Sequence, residues 1–161
     1  NNAGVTKVVP HQDLDGLQDE DIDRILTTNF RGSFACIRAF QNLLAKSGEG
    51  LVINISSIAG STAVGSSVAY CASKAAINSM TMSLGRALAP NIRVVAVAPG
   101  WVAGEYASRV DPAYMQEQIN KTPLGRIATA SDVANTVVAL STTVTFNTGC
   151  IIPVDGGRPL T

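Results

Sequence analysis

The chain is short of several groups on which common protein chemistries depend: it has one histidine, three cysteines and no excess of either charge. His11, the single histidine, sits in a polar loop beside Pro10, and nothing in the sequence brings it to a serine. A Ser-His-Asp hydrolase or a histidine-ligated metal site would have to use it, so the sequence argues against both, and no metal is expected. Cys36, Cys71 and Cys150 are odd in number and scattered without metal-like spacing, and read as reduced thiols of a cytoplasmic protein. Lysine plus arginine and aspartate plus glutamate number 12 each, and zero net charge argues against a nucleic-acid or anionic-membrane surface. No apolar run approaches ~18 residues and no signal-peptide pattern is present, so no membrane partner is expected. A Gly-rich phosphate loop is missing too: neither G-x-G-x-x-G nor G-x-x-x-G-x-G occurs at a strand-to-helix junction, and Gly156-Gly157 has no helix after it. What remains, 161 residues with 46% hydrophobic content, suits one soluble, core-forming domain.

The most informative stretch runs from Leu51 to Ala89. The β-branched run Val52 to Ile55 reads as a buried strand. Small and polar residues from Ser56 to Ser67, with glycines at 60 and 65, then carry the backbone out in a loop. From about Ala69 the composition turns helical, and Pro90-Asn91 stops the helix. Tyr70 and Lys74, four apart, share one face of that helix within side-chain reach. A free phenol titrates near ~10 and a lysine near ~10.4, and an ammonium held beside the phenol favours the phenolate. Lowering the phenol by two or three pH units asks roughly 3–4 kcal/mol of the site and yields a general acid/base for near-neutral pH. Ser57, at the carboxyl end of the strand, lies where open α/β sheets bind ligands, and its hydroxyl can hydrogen-bond the oxygen whose proton Tyr70 handles.

Singly these signals are weak, because Tyr-x-x-x-Lys pairs recur by chance on helices and a serine after a strand is usually a turn residue. Together, Ser57, a Gly/Ser/Ala-rich loop and Tyr70-Cys71-Ala72-Ser73-Lys74 resemble the active-site segment of the short-chain dehydrogenase/reductase family. Asn1-Asn2-Ala3-Gly4 strengthens the likeness, which is to the classical branch and closest to 3-oxoacyl-carrier-protein reductases. The resemblance implies a Rossmann-like, doubly wound parallel α/β sheet. It also implies that Asn2, Ala3 and Gly4 close a strand beside the cofactor's adenosine portion. The family's phosphate loop, its first three strands and most of the fourth would precede Asn1. The chain is thus expected to be a single partial domain, residues 1–161, corresponding to the C-terminal two-thirds of such an enzyme.

Elsewhere, residues 5–18 read as a connecting loop, and an amphipathic helix is expected from about Asp19 to Lys46. Its acidic start and Lys46 near its end suit the helix dipole, and Ser47-Gly48 ends it. Asn29 and Gly32 are poor helix formers, so a kink or local opening is expected there. The resemblance gives Asn29 a use: its main chain holds a water linking the lysine to a proton relay. Ile92 to Ala98 reads as another buried parallel-type strand, leaving through Pro99-Gly100. In the family that turn borders the nicotinamide, and main-chain groups near Val102 bind its carboxamide. A threonine common four residues after the glycine is replaced here by Gly104, which removes a hydroxyl contact to the cofactor. Residues 101–128 form a long segment with one helical patch at about 112–120, expected from the family to be a lid whose inner face Trp101, Tyr106, Tyr114 and Met115 would supply. Thr129-Ala130-Ser131-Asp132 is a capping-box-like start for a last helix, with a tight connection after it. Thr148 to Gly157 resembles the family's last strand and C-terminal signature, which usually serves subunit contacts and closes the substrate pocket.

Three strands are expected, at about 51–56, 92–98 and 150–154, with an unpaired edge at the first. The implied function is an NAD- or NADP-dependent oxidoreductase that interconverts a small secondary alcohol and a ketone and forms a homo-oligomer, dimer or tetramer. The catalytic set is Ser57, Tyr70, Lys74 and Asn29; the cofactor would be held by Asn2, Ala3, Gly4, Tyr70, Lys74, Pro99, Gly100 and Val102. The rival reading is a non-catalytic fragment whose helices at 19–46 and 69–89 form an interaction surface. The missing phosphate loop favours that rival, and the intact Ser57, Tyr70 and Lys74 set opposes it.

Overall fold

The run IRVVAVAP becomes the central strand because it has almost nothing polar to show water. The computed structural model describes residues 1–104 and 110–160, and in it Val94, Val95, Ala96 and Val97 are fully buried. Burying each valine contributes about 1.5–3 kcal/mol. That strand, β2 (Ile92–Pro99), lies between β1 (Gly50–Ile55) and β3 (Ile151–Val154) in an all-parallel sheet. Gly50 pairs with Ile92 through to Ile55 with Val97, and Ala96 with Ile151 through to Pro99 with Val154.

Side chains alternate between the two faces of the sheet. Val52, Ile92 and Val94 meet Ile37 of helix α2 (Ser33–Lys46) and Ile77 and Met80 of helix α4 (Val68–Ala87) on one face. On the other, Val95 and Val97 meet Leu140, with Val133 and Val137 packed against them, all from helix α6 (Ala130–Thr142). Both faces of the parallel sheet therefore carry helices, as the Rossmann-like expectation requires.

The expected helix over 19–46 is helical throughout but changes pitch: α1 (Asp19–Leu26) passes through a π-turn (Thr27–Gly32) into α2. The opening expected at Asn29 and Gly32 is this wider turn. It keeps Ile25, Asn29, Ser33 and Ile37 buried in line against the rest of the molecule. Residues 5–18 carry no strand or helix, as expected, and are tied down by Lys7 to Asp21 (2.5 Å) and by Val9 N–H to Ser66 O (2.8 Å).

Two expectations are corrected. The segment after β1 is not irregular throughout: a one-turn helix, α3 (Ala59–Thr62), lies inside it. Nor is the outer edge of β1 wholly unpaired, because the Asn1 main-chain nitrogen donates to Ile53 O (2.8 Å) and Ile55 N–H donates to Asn1 O (2.9 Å). Helix α5 (Pro112–Asn120) falls in the expected patch, started by Asp111, whose carboxylate accepts from Ala113 N–H at 2.8 Å. Trp101 and Tyr114 pack edge to face (5.9 Å), whereas Tyr106 lies outside the described residues. The capping box of α6 forms as read, with Thr129 and Asp132 bonded reciprocally and Arg126 on the same carboxylate. A short 3₁₀ turn (Arg158–Leu160) follows β3. No helix among the described residues is long and apolar enough to cross a membrane.

Candidate active site

The carboxyl ends of β1 and β2 open on the same side, and the chain turns there at Ser57 and at Pro99-Gly100. Ile58 N–H donates to Pro99 O (3.0 Å), which fixes one turn against the other. Ser57 is half-buried, and its Oγ accepts from Ala59 N–H at 3.2 Å. Its own proton reaches only Pro99 O at 3.5 Å, beyond a good O–H···O length. That hydroxyl is oriented yet only loosely engaged.

Ser67 starts α4: its side chain accepts from Tyr70 N–H (3.3 Å), which sets Tyr70 in the first helical turn. Gly65 lets the loop pack closely beside the first turn of α4, since a Cβ there would fall 2.9 Å from Cys71 Sγ and 3.0 Å from Ala59 Cβ. One turn on, the Lys74 ammonium lies 5.7 Å from the centre of the Tyr70 ring. Lys74 is only 6% exposed, and its Nζ donates to Ile55 O at 2.8 Å. Burial pulls its pKa from 10.5 down to about 8, because a desolvated ammonium is costly. It still carries its proton at neutral pH. Gly60 seats the α3 turn on this part of α4, for a Cβ there would fall 2.7 Å from the Lys74 carbonyl carbon.

Asn29 closes the other side. Its Oδ1 accepts from Val5 N–H (2.8 Å), its Nδ2 donates to Val5 O (3.0 Å) and to Ser73 Oγ (2.9 Å), and its carbonyl accepts from Ser33 Oγ (2.8 Å). Gly4 lies between Asn29 and the lysine: a Cβ on it would meet Asn29 Oδ1 at 3.6 Å and Lys74 Nζ at 3.8 Å. Asn2, Ala3 and Gly4 are exposed in front of this cluster. Ser57, Lys74, Tyr70, Asn29 and Gly4 are thus brought to one end of the sheet.

Val102 stands apart, on the segment leaving β2. Ala128 N–H donates to Trp101 O (2.9 Å) and Ala103 N–H donates to Ala128 O (2.7 Å), a parallel bridge that turns Val102's own N–H and C=O to the opposite side. Gly100 N–H donates to Val154 O (3.0 Å), and a Cβ at Gly100 would crowd Asp155 Cα at 3.2 Å. At Gly104 a Cβ would meet nothing within 4 Å among the described residues. The outward main-chain donor and acceptor at Val102, the space beside Gly104 and the buried ammonium fit a nicotinamide dinucleotide.

Four polar groups behind this site gave no sequence signal of function. Asn54, fully buried in β1, takes a bond from Asn1 Nδ2 (2.8 Å) and gives one to Thr81 Oγ1 (3.0 Å). Ser56 Oγ donates to Asn78 Oδ1 (2.6 Å), holding the end of β1 to α4. Ser73 and Ser66 are the others; Ser66 Oγ meets Thr6 Oγ1 at 2.5 Å.

Comparison with known proteins bears on this arrangement. The family model described as Enoyl-(Acyl carrier protein) reductase matches residues 1–158. The short-chain dehydrogenase/reductase homolog YusR of Bacillus subtilis is 42% identical over 131 residues, 81% of this chain and 99% of that protein. The 3-oxoacyl-[acyl-carrier-protein] reductase FabG of Staphylococcus aureus is 32% identical over 98% of this chain, which spans 63% of that relative's length. The crystal structure of a Brucella melitensis 3-oxoacyl-[acyl-carrier protein] reductase with bound NAD superposes with a TM-score of 0.85 at 32% identity, covering 98% of this chain and 60% of that one. On its motifs, its fold and these matches, the chain belongs to the short-chain dehydrogenase/reductase family.

Proposed function

We propose that the protein is an NAD- or NADP-dependent oxidoreductase interconverting a small secondary alcohol and a ketone, with 3-oxoacyl thioesters the favoured substrate class. The observation that carries this reading is the buried, protonated Lys74 held 5.7 Å from the Tyr70 ring centre. A nicotinamide dinucleotide, when bound, supplies or accepts the hydride. Its nicotinamide ribose would be held by Lys74 and Tyr70, its carboxamide by Val102 beside Pro99 and Gly100, and its adenosine side by Asn2, Ala3 and Gly4.

The chain's own residues manage the proton. Tyr70 gives its phenolic proton to the developing alkoxide and takes it back in the reverse direction. Lys74 favours the phenolate left behind, at a cost the fold has already met by burying the ammonium. Ser57, with its loosely engaged hydroxyl, donates to the same substrate oxygen. Asn29, fixed by Val5, Ser33 and Ser73, supports resupply of the proton toward Lys74. The two S. aureus and B. melitensis relatives support the substrate class. Exposed Phe30, Phe34, Phe40 and Leu43 along the helical run of the π-turn and α2 support a homo-oligomer, dimer or tetramer, and three free cysteines support a cytoplasmic setting.

The test is direct: the protein is mixed with NADH or NADPH and a short 3-oxoacyl thioester, and reduced nicotinamide is followed by absorbance. Thioester-dependent loss of the reduced cofactor is expected. No turnover with either cofactor, together with no binding of either at millimolar concentration, would reject the reading.

A further inference from the structure

Ser73 is fully buried one residue before Lys74 and bonds to Asn29 and to the Tyr70 main chain, yet no role was assigned to it above. Its hydroxyl is nonetheless completely used. Oγ accepts from Asn29 Nδ2 at 2.9 Å and donates to the Tyr70 carbonyl oxygen at 2.8 Å. The same Asn29 side chain clamps both main-chain groups of Val5. The result is a buried chain of hydrogen bonds running Val5, Asn29, Ser73, Tyr70, which joins the strand-end loop at Gly4, the π-turn and the first turn of α4. A carboxamide that satisfies three partners at once holds its helix in the wider π geometry, because an ordinary α-turn would carry Asn29 off this line.

We infer that Ser73 is a positioning residue, fixing the first turn of α4, and with it the Tyr70 phenol, against Asn29 and Gly4. The inference rests on the reading of Tyr70 as the proton-transfer group. Removing the hydroxyl takes away the buried acceptor of an Asn29 N–H, whereas the Tyr70 carbonyl keeps its helical bond from Lys74 N–H. Asn29 then re-forms its bond elsewhere, and the first turn of α4, with the Tyr70 phenol, moves relative to Asn29 and Gly4. A displacement of that kind acts on the chemical step more than on cofactor binding.

The experiment compares Ser73→Ala with Thr81→Val on the same helix. Thr81 is equally buried, and its hydroxyl serves Asn54, away from Tyr70. Turnover is measured with NADPH or NADH and a short 3-oxoacyl thioester, and the pH titration of Tyr70 is followed by NMR of ¹³Cζ-labelled tyrosine, its signal identified by its loss in Tyr70→Phe. For Ser73→Ala we expect kcat to fall about tenfold to a hundredfold, KM for the cofactor to change less than about threefold, and the Tyr70 titration to move. Thr81→Val should change stability while leaving the titration in place. Ser73→Ala with parent kcat and an unmoved Tyr70 titration overturns the inference, as does an equal shift in Thr81→Val. Should Ser73→Ala not fold, Ser73→Cys keeps the volume with a weaker donor, and a Cys variant at parent kcat with an unmoved titration overturns it equally. An active Tyr70→Phe protein sinks the reading of Tyr70 itself. An inactive Tyr70→Phe beside a fully active Ser73→Ala sinks only the role of Ser73.

Discussion

Lys74 should make the protein more stable as the solution becomes alkaline. Lys74 is 6% exposed, and burial lowers its pKa from 10.5 to about 8. Because the folded pKa is depressed, the unfolded chain binds the proton more tightly than the folded one. Stability therefore rises with pH between about 8 and about 10.5 and is lowest below that window. The full difference amounts to about 3 kcal/mol, of which about 2–3 kcal/mol is recovered between about pH 7 and about pH 10. Lys74→Met removes the charge and keeps the length of the side chain. It also removes the bond from Nζ to Ile55 O, whose change on deprotonation is already contained in the folded pKa of Lys74. Urea unfolding of the parent and of Lys74→Met is measured at both pH values. Both proteins carry Tyr70→Phe, so that the phenol coupled to Lys74 does not titrate, and the remaining groups common to the two cancel in the difference. The parent is expected to gain about 2–3 kcal/mol on the variant from about pH 7 to about pH 10. A difference flat to within about 0.5 kcal/mol would mean that Lys74 keeps an ordinary lysine pKa, and the argument for a desolvated ammonium tuning Tyr70 would fail.

Two glycines give further tests. A Cβ at Gly85 in α4 would fall 2.4 Å from Gly149 N and 2.5 Å from its Cα, so backbone meets backbone. Helix propensity favours alanine by about 1 kcal/mol, but overpacking costs about 1–3 kcal/mol and should win. Gly85→Ala is expected to lower urea stability; an alanine variant as stable as the parent would show that α4 does not pack this tightly on the last loop. Gly104 is the reverse case, since none of the described residues would meet a Cβ there within 4 Å. Gly104→Thr should tighten nicotinamide dinucleotide binding several-fold, up to about tenfold, the worth of one hydrogen bond of about 1 kcal/mol, with the melting temperature unchanged. Calorimetric titration checks this, and equal affinities would show that no cofactor contact was lost at this position.

Much of the fold was legible because its signals are local. An unbroken β-branched run such as 92–98 suits a strand buried on both faces, and it became the central one. Thr129 and Asp132 announced the start of α6 because a capping box is written in four consecutive residues. At Asn29 and Gly32 the sequence announced only that the helix would be disturbed. The form of the disturbance depends on bonds from Asn29 to Val5 and Ser73, 24 and 44 residues away, which no local pattern encodes. The turn at Ala59–Thr62 escaped because the small and polar run Ala59-Gly60-Ser61-Thr62 reads as loop; it forms by resting on α4 at Lys74. In the site, Tyr70 and Lys74 were visible through their spacing and Ser57 through its place after a strand. Ser73 and Ser66 were not, because their bonds to Asn29 and Thr6 join residues distant in sequence.

The central claim is that Tyr70 transfers the proton. Tyr70→Phe removes that proton alone, and its turnover can be measured with a nicotinamide dinucleotide and a short 3-oxoacyl thioester beside the parent protein. The account predicts a fall in kcat of about a hundredfold to ten-thousandfold, with circular dichroism and cofactor affinity unchanged. A Tyr70→Phe protein turning over within about tenfold of the parent would contradict it.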